Sequence, residues 1–291
     1  MIDVTPDPIA FELGPLRVAW YGLAFALALT VGTFLAQREA QRRGENPRIV
    51  VDGLLIVVVL AVIGARLYHV IDQFQIYAAD PLRIVLPPYS GLGLYGGIAG
   101  AVLGLAIFTR RRGLSFLRWG DIAVPGLLMG QAIARWGNFF NQELYGPPTN
   151  LPWGVAIDCQ HRVVTATIDY SCDRFPLEST GFHPLFFYEA ALTFTGALIA
   201  LFVARRFAAR LRDGDLVSFW FIWYGAVRGI LEVFREGYNW TFFGIPMAML
   251  IGALAVVGGI LTIIWRHRKP RPETPEPASL PVATLPPPAE V

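Results

Sequence analysis

Seven hydrophobic windows of about 20 residues constrain the fold of this chain more than any other feature. Each window is long enough to cross about 30 Å of hydrocarbon as a helix. Charged residues make up only 16% of the chain, against roughly 25% in a typical soluble domain. The sequence therefore predicts an all-α integral membrane protein with seven transmembrane helices. The predicted spans are residues 18–36, 50–72, 92–109, 119–137, 184–204, 215–234 and 245–265.

Basic residues cluster in every second loop, which sets the predicted orientation. Short cytoplasmic loops carry the excess of lysine and arginine, so the N-terminus is predicted outside and the C-terminus in the cytoplasm. These clusters also account for the net charge of +2, and nucleic acid is not implied as a partner. The clusters are Arg38, Arg42, Arg43, Arg48; Arg110, Arg111, Arg112, Arg118; Arg205, Arg206, Arg210, Arg212; and Arg266, Arg268, Lys269, Arg271.

Two segments outside the predicted spans are long enough to form a separate part of the molecule. Residues 138–182 form a small outside head, in which WGVAI and HRVVTATI are typical of a short β-hairpin. Cys159 and Cys172 both fall in this head, and a disulfide and two free thiols are both compatible with the sequence. Residues 269–291 contain eight prolines and are predicted to be a disordered cytoplasmic tail. The membrane domain then covers residues 1–268.

Arg66, Arg135 and Arg228 fall within predicted spans, where each costs about 2.5 to 3.5 kcal/mol at the centre of a helix. Snorkelling or purely structural ion pairing, such as Arg228 with Glu232, is one explanation. However, the predicted orientation puts these arginines, Glu232 and a further set of polar residues in the outer half of the bilayer, which favours a shared cavity there. The others in that half are Tyr21, His69, Tyr95, Asn138, His183, Glu189, Tyr224 and Arg235.

The chemistry of this cavity follows from its arginines. Tyr224, Arg228 and Glu232 are spaced by four residues and so share one helix face. The planar guanidinium group suits bidentate binding of phosphate oxygens, which predicts a phospholipid headgroup as ligand. Gly64 and the pair Gly96–Gly97 serve either close helix packing or the approach of a lipid. No zinc-peptidase, serine-protease or P-loop motif is present, and no metal or cofactor is predicted.

Six segments of the chain resemble the prolipoprotein diacylglyceryl transferase family. They follow one another in order through six of the seven spans, and R-x-G-N-F-x-N-x-E-x-x-G, from Arg135 to Gly146, is the family signature. The segments are WYG from Trp20, GARLYHV from Gly64, LYGGIAG from Leu94, ARWGNFFNQELYG from Ala134, HPLFFYEA from His183 and YGAVRGILEVFRE from Tyr224.

The resemblance implies a multi-pass enzyme of the bacterial cytoplasmic (inner) membrane, with a periplasmic head. Such an enzyme moves the diacylglyceryl group of phosphatidylglycerol to the lipobox cysteine thiol of a prolipoprotein, forming a thioether and releasing glycerol phosphate. The implied partners are therefore the phospholipid, the lipobox peptide and the membrane.

The resemblance also implies roles for individual residues. Arg135 and Arg228 hold the phosphate and stabilise its departure, and Tyr95 and Glu232 complete the expected catalytic set. Glu143 orients an arginine or accepts the thiol proton. The expected substrate-binding residues are Tyr21, Arg66, Arg135, Asn138, Asn141, Glu143, Gly146, Glu189, Tyr224 and Arg235.

The sequence departs from the family pattern at two positions. Tyr95 stands where well-known members have a histidine, often discussed as the base. A phenol with a pKa near 10 is a poor proton acceptor at neutral pH, so Tyr95 is expected to donate a hydrogen bond to the phosphate. The base is then Glu232, Glu143, or none if the arginines lower the thiol pKa. Leu185 replaces a polar residue after His-Pro, which leaves Glu189 in register.

Two functions of other classes fit the same arginines without the resemblance. In an anion or lipid transporter they would form a binding site crossed by alternating access. In a lipid-binding scaffold the head would recruit proteins. Only the match to the family signature separates these alternatives from the enzyme.

Overall fold

The computed structural model describes residues 1–84, 91, 93–165, 167–235 and 241–270. Within them the chain forms seven long helices and one short helix. The short helix α3 is followed by a 3₁₀ turn over Pro81–Ile84. The helices are α1 Trp20–Arg42, α2 Ile49–Asp72, α3 Phe74–Ala79, α4 Leu94–Arg111, α5 Phe116–Phe140, α6 Leu185–Arg206, α7 Asp215–Glu232 and α8 Met247–Arg268.

The long helices lie where the hydrophobic windows predicted helices, and the chain is an all-α integral membrane protein. Four of them, α1, α2, α6 and α8, meet the length and composition of a membrane span. The other three carry more of the polar chemistry: α5 contains Asp121 and Arg135, α7 contains Arg228 and Glu232, and α4 ends on two arginines. The predicted proline-rich tail falls almost entirely in 271–291, outside the described residues.

Glycines let three pairs of helices approach to backbone contact, and in a fourth pair a glycine makes room for an indole ring. A Cβ atom at Gly96 of α4 would lie 2.1 Å from the carbonyl oxygen of Gly64 in α2. A Cβ atom at Gly126 of α5 would lie 2.4 Å from the carbonyl oxygen of Gly32 in α1. Gly225 of α7 faces Gly252 of α8 in the same way. A Cβ atom at Gly196 of α6 would lie 2.4 Å from the indole nitrogen of Trp223 in α7. Helix packing is thus the role the structure gives Gly64 and Gly96.

The N-terminal end of α7 is held by a carboxylate from α5. Asp121, which is 1% exposed, accepts hydrogen bonds from the backbone N–H groups of Gly214 (2.8 Å) and Val217 (2.9 Å). These donors belong to the first turn of α7, whose N–H groups have no partners within the helix. Asp121 therefore caps a neighbouring helix and fixes the position of α7 against α5.

Three two-stranded antiparallel sheets occupy the loops. Strands β1 (Ile9–Leu13) and β2 (Leu16–Ala19) form a hairpin directly before α1, and β5 (Thr241–Phe242) and β6 (Ile245–Pro246) form another directly before α8. Strands β3 (Pro148–Thr149) and β4 (Gly181–Phe182) pair across the head. The sequence did not indicate the hairpin before α1, because its strands are short and partly exposed.

The head between α5 and α6 is built differently from the predicted hairpin. Val155 of WGVAI pairs with Ile2 and Phe182, whereas Val164 of HRVVTATI pairs with Asp169, directly after that segment. A Cys159–Cys172 disulfide is present, which settles the alternative left by the sequence. Since α5 continues to Phe140, Asn138 lies in the last turn of that helix and not in the head.

Candidate active site

Arg135, near the end of α5, is the centre of a hydrogen-bonded chain that links two helices to the loop after α5. Its Nη2 atom lies 2.5 Å from Oε1 of Glu189 in α6. Its Nη1 atom donates to Oδ1 of Asn138 at 3.5 Å. The amides of Asn138 and Asn141 both donate to Oε1 of Glu143, at 2.7 and 3.3 Å. Glu143 thus acts on the orientation of Arg135 through Asn138.

Arg228 of α7 forms the second arginine–carboxylate pair. Its Nη2 atom lies 2.9 Å from Oε2 of Glu232, one turn further along the same helix. The Glu232 side chain is 1% exposed and that of Arg228 is 23% exposed. The other pair shows the same asymmetry: the Glu189 side chain is 5% exposed and that of Arg135 is 28% exposed. In both pairs the carboxylate is enclosed while the arginine side chain stays partly exposed.

The two pairs belong to one electrostatic cluster. Tyr224, one turn before Arg228, interacts electrostatically with Glu189, Arg135, Arg228 and Tyr95. Arg235, just beyond α7, interacts in the same way with both members of each pair. Tyr224 is held in place by stacking on Trp220, with the ring planes 2° apart. The structure therefore brings together Tyr95, Arg135, Glu189, Tyr224, Arg228, Glu232 and Arg235, which we call the arginine cluster.

Two tyrosines lie in the first turns of their helices: Tyr95 of the arginine cluster in α4, and Tyr21 in α1. Tyr95 is 50% exposed, and its ring packs on Tyr68 with centroids 5.9 Å apart. Tyr21 packs against Gly137, where a Cβ atom would lie 2.6 Å from its ring, while Trp20 stacks on Phe140. Gly137 thus allows α1 to contact α5 within one turn of Arg135.

The contacts of Gly146 explain why the signature ends on a glycine. A Cβ atom there would lie 2.9 Å from the carbonyl oxygen of Phe234 and 3.2 Å from Cβ of His183. The Gly146 N–H donates to the carbonyl of His183 at 2.8 Å. This single position therefore joins the loop after α5 to the start of α6 and the end of α7, the two helices that carry Glu189 and Arg228.

Arg66 makes contacts of another kind. Its guanidinium group donates to the backbone carbonyls of Arg83, Ile84 and Gly91 and lies over the ring of Tyr77. These contacts hold the connection between α2 and α4. The substrate-binding role expected for Arg66 stays a prediction.

Gln142 is a residue of the signature that the sequence did not single out. It is 4% exposed and has φ of 50°, a conformation that costs energy for a residue other than glycine. Its amide donates to the carbonyl of Pro6 and to Asp158, and accepts from the Asp158 N–H at 2.8 Å. Gln142 therefore ties the signature loop to the N-terminal segment and to the disulfide-bonded part of the head. Its positive φ and its partners, 16 and 136 residues away, leave no pattern in the sequence.

Asp158 stays charged beside Gln142. Burial raises the pKa of Asp158, but hydrogen bonds from the His161 imidazole and the backbone of Gln160 outweigh burial and hold that pKa below its usual value. Further inside the head, Arg162 donates to the carbonyls of Ile157, Tyr170 and Phe175. Burial lowers the pKa of Arg162 without removing its charge at neutral pH.

Among the residues that the structure describes, no group of three or more histidine, cysteine or acidic side chains is arranged to hold a metal ion. The arginine cluster instead offers guanidinium N–H donors fixed by enclosed carboxylates. Such an arrangement is suited to a phosphate group, whose oxygens accept several charge-assisted hydrogen bonds.

Residues 8–265 match the family model described as prolipoprotein diacylglyceryl transferase. The chain is 36% identical to the phosphatidylglycerol–prolipoprotein diacylglyceryl transferase of Chloroflexus aggregans, over 94% of this chain and 95% of the relative. It is 33% identical to the enzyme of that name from Bacillus velezensis, over 90% and 93%, and 32% identical to that from Synechococcus elongatus, over 94% and 93%. The chain therefore belongs to the prolipoprotein diacylglyceryl transferase family.

Proposed function

We propose that this protein transfers the diacylglyceryl group of phosphatidylglycerol to the lipobox cysteine of a prolipoprotein. The observation that carries the proposal is the arginine cluster, where two arginine side chains stay partly exposed while their carboxylate partners are enclosed. The names of the relatives supply the two substrates. The cluster supplies the fixed positive charge that a departing phosphate requires.

The reaction forms one bond and breaks one. The substrate sulfur attacks the glycerol carbon that carries the phosphodiester, a carbon–sulfur bond forms, and the carbon–oxygen bond to the phosphate breaks. Glycerol phosphate leaves with the electron pair of that bond. Arg135 and Arg228 stabilise the charge that grows on its oxygens, and Arg235 adds to the positive field. Tyr95 and Tyr224, which belong to the same cluster, supply hydroxyl groups that can donate hydrogen bonds.

The thiol must lose its proton, since the thiolate is the reactive form. Glu232 is enclosed and faces Arg228, so we assign it the positioning of that arginine. Glu143 is exposed and lies in the loop where a peptide would arrive. It is the carboxylate we favour as proton acceptor.

We further propose that all seven long helices cross the bacterial inner membrane, with residues 1–268 forming the membrane domain. In this orientation the head and the arginine cluster lie on the periplasmic side and the tail in the cytoplasm. Single cysteines at Arg210 and Asn150, both exposed, test this topology. An impermeant maleimide should label Asn150→Cys but not Arg210→Cys in intact spheroplasts, and the reverse pattern would contradict the orientation.

The function is tested with purified protein in phosphatidylglycerol micelles and a lipobox peptide whose mass is followed. We expect the peptide to gain one diacylglyceryl group, and a peptide with serine in place of cysteine to gain none. Binding or movement of the lipid without any adduct would instead favour a transporter or a scaffold and overturn the proposal.

A further inference from the structure

A basic cavity lies at the other end of the molecule from the arginine cluster. It has a volume of about 240 Å³ and lies between the end of α1 and the start of α2. We call it the Arg38–Arg48 pocket. It is lined by Phe34, Gln37, Arg38, Gln41, Pro47 and Arg48.

Neither arginine of this pocket has a carboxylate partner among the described residues. Several nearby arginines are paired, Arg42 and Arg43 with Glu39, Arg112 with Asp52, and Arg118 with Glu45. Arg38 instead lies over the ring of Phe34, 5.1 Å from its centroid, which holds the side chain without neutralising it. The pocket therefore contains two positive charges and two amides, and no acidic side chain lines it.

The surface that leads away from the pocket is apolar. Leu23, Leu27 and Phe34 are all exposed on α1, and their spacing of four and seven residues places them on one face with Arg38. This face continues from the pocket along the helix in the direction of the membrane. The combination matches a phospholipid, with its phosphate in the pocket and an acyl chain along α1.

We propose that the Arg38–Arg48 pocket binds the headgroup of an anionic phospholipid from the leaflet in which α1 ends. This lipid is not the molecule held by the arginine cluster, because Tyr21 and Arg38 are separated by about 25 Å along α1. Each arginine near a membrane surface attracts anionic lipid, and here two of them converge on one cavity. The lipid joins the ends of α1 and α2, where the tightly packed pairs α1–α5 and α2–α4 meet.

The test compares two double variants of equal charge by native mass spectrometry of the full chain. The first double variant, Arg38→Gln with Arg48→Gln, removes both positive charges from the pocket. Arg110→Gln with Arg111→Gln removes two exposed arginines of the α4 end that do not line it. Both variants keep the arginine cluster, so lipid bound there is the same in each. The protein is equilibrated with an equimolar mixture of phosphatidylglycerol and phosphatidylcholine, and the bound lipids are counted.

We expect the wild type and the Arg110/Arg111 variant to retain one more phosphatidylglycerol than the Arg38/Arg48 variant. The apparent affinity for that additional lipid should fall about tenfold or more in the pocket variant. Equal retention by both variants would overturn the proposal. Displacement of the lipid by a large excess of inorganic phosphate would also overturn it, since the pocket would then be a site for a free anion.

Discussion

Single residues of this protein are placed so that an arginine can remain in a largely apolar helix and still be available to a ligand. Arg135 is fixed by Glu189 on one side and by Asn138 on the other, yet it keeps 28% of its side chain exposed. Because the planar guanidinium group is held at two of its edges, its remaining N–H donors lie at defined positions. Lysine cannot reproduce this, because it presents one compact charge on a flexible stem.

Replacement of Arg135 tests this geometry. We expect Arg135→Ala to lower the transfer rate by at least about a hundredfold, the usual cost of losing a fixed donor to a developing charge. Arg135→Lys should recover less than about a tenth of the activity. Transfer is measured from the mass of the lipobox peptide, and near-normal activity of the lysine variant would contradict bidentate phosphate binding.

Tyr95 offers a second test at the same scale. It is half exposed at the start of α4 and packs only its ring on Tyr68. If the phenol donates a hydrogen bond to the phosphate, Tyr95→Phe should lose about tenfold in kcat/KM, the value of one such bond. A complete loss, with folding intact by gel filtration, would instead point to proton transfer by Tyr95.

At the scale of the elements, glycines in facing helices decide how closely the helices pack. Gly96 and Gly97 are adjacent in sequence but have different neighbours. A Cβ atom at Gly96 would lie 2.1 Å from a backbone oxygen, which cannot move aside, whereas one at Gly97 would lie 3.5 Å from the Ala65 side chain. Only the first position requires glycine.

This difference predicts opposite effects of one substitution. We expect Gly96→Ala to destabilise the protein by about 1 to 3 kcal/mol, the usual cost of overpacking. The thermal unfolding midpoint in detergent should fall accordingly. Gly97→Ala is the matched control and should be neutral or slightly stabilising, since alanine favours the helix. Equal effects at both positions would refute a packing role for Gly96.

The helices were predictable from sequence to within a few residues, and other elements were not. Hydrophobic windows mark α2 as 50–72 where the structure has Ile49–Asp72, because burial in lipid requires a continuous apolar run. The windows ended α5 at 137, three residues early, because Asn138 is polar although it continues the helix. The β3–β4 pair joins residues that are more than 30 positions apart in the sequence, so no local sequence pattern predicts it.

At the scale of the whole molecule, the site forms where separate parts of the chain meet. The family resemblance named residues of α5, α6 and α7, and in the structure Arg135 of α5 contacts Glu189 of α6, while the roles of these residues stay predictions. It did not predict Gln142, whose partners are Pro6 and Asp158. Through Gln142, the N-terminal segment and the disulfide-bonded head both support the loop that contains Glu143.

The disulfide should therefore affect the site from a distance. We expect Cys159→Ser with Cys172→Ser to destabilise the head by about 3 kcal/mol, given the 13-residue separation of the cysteines. The rate of amide hydrogen exchange near Asp158 should rise. In the transfer reaction, KM for the peptide should increase by a larger factor than kcat falls. A reducing agent should reproduce these changes in the wild type and have no effect on the double variant. An unchanged exchange pattern would show that the head is held without the disulfide.

The arginine cluster also has a charge balance that distinguishes the substrate from the product. Three guanidinium groups and two carboxylates leave it with one net positive charge. The phosphodiester of phosphatidylglycerol carries one negative charge, so the filled site is neutral. After transfer the glycerol phosphate is a monoester and carries up to two negative charges at neutral pH. The second charge has no counterpart in the cluster and is stabilised best by hydration, which favours release of the product into water.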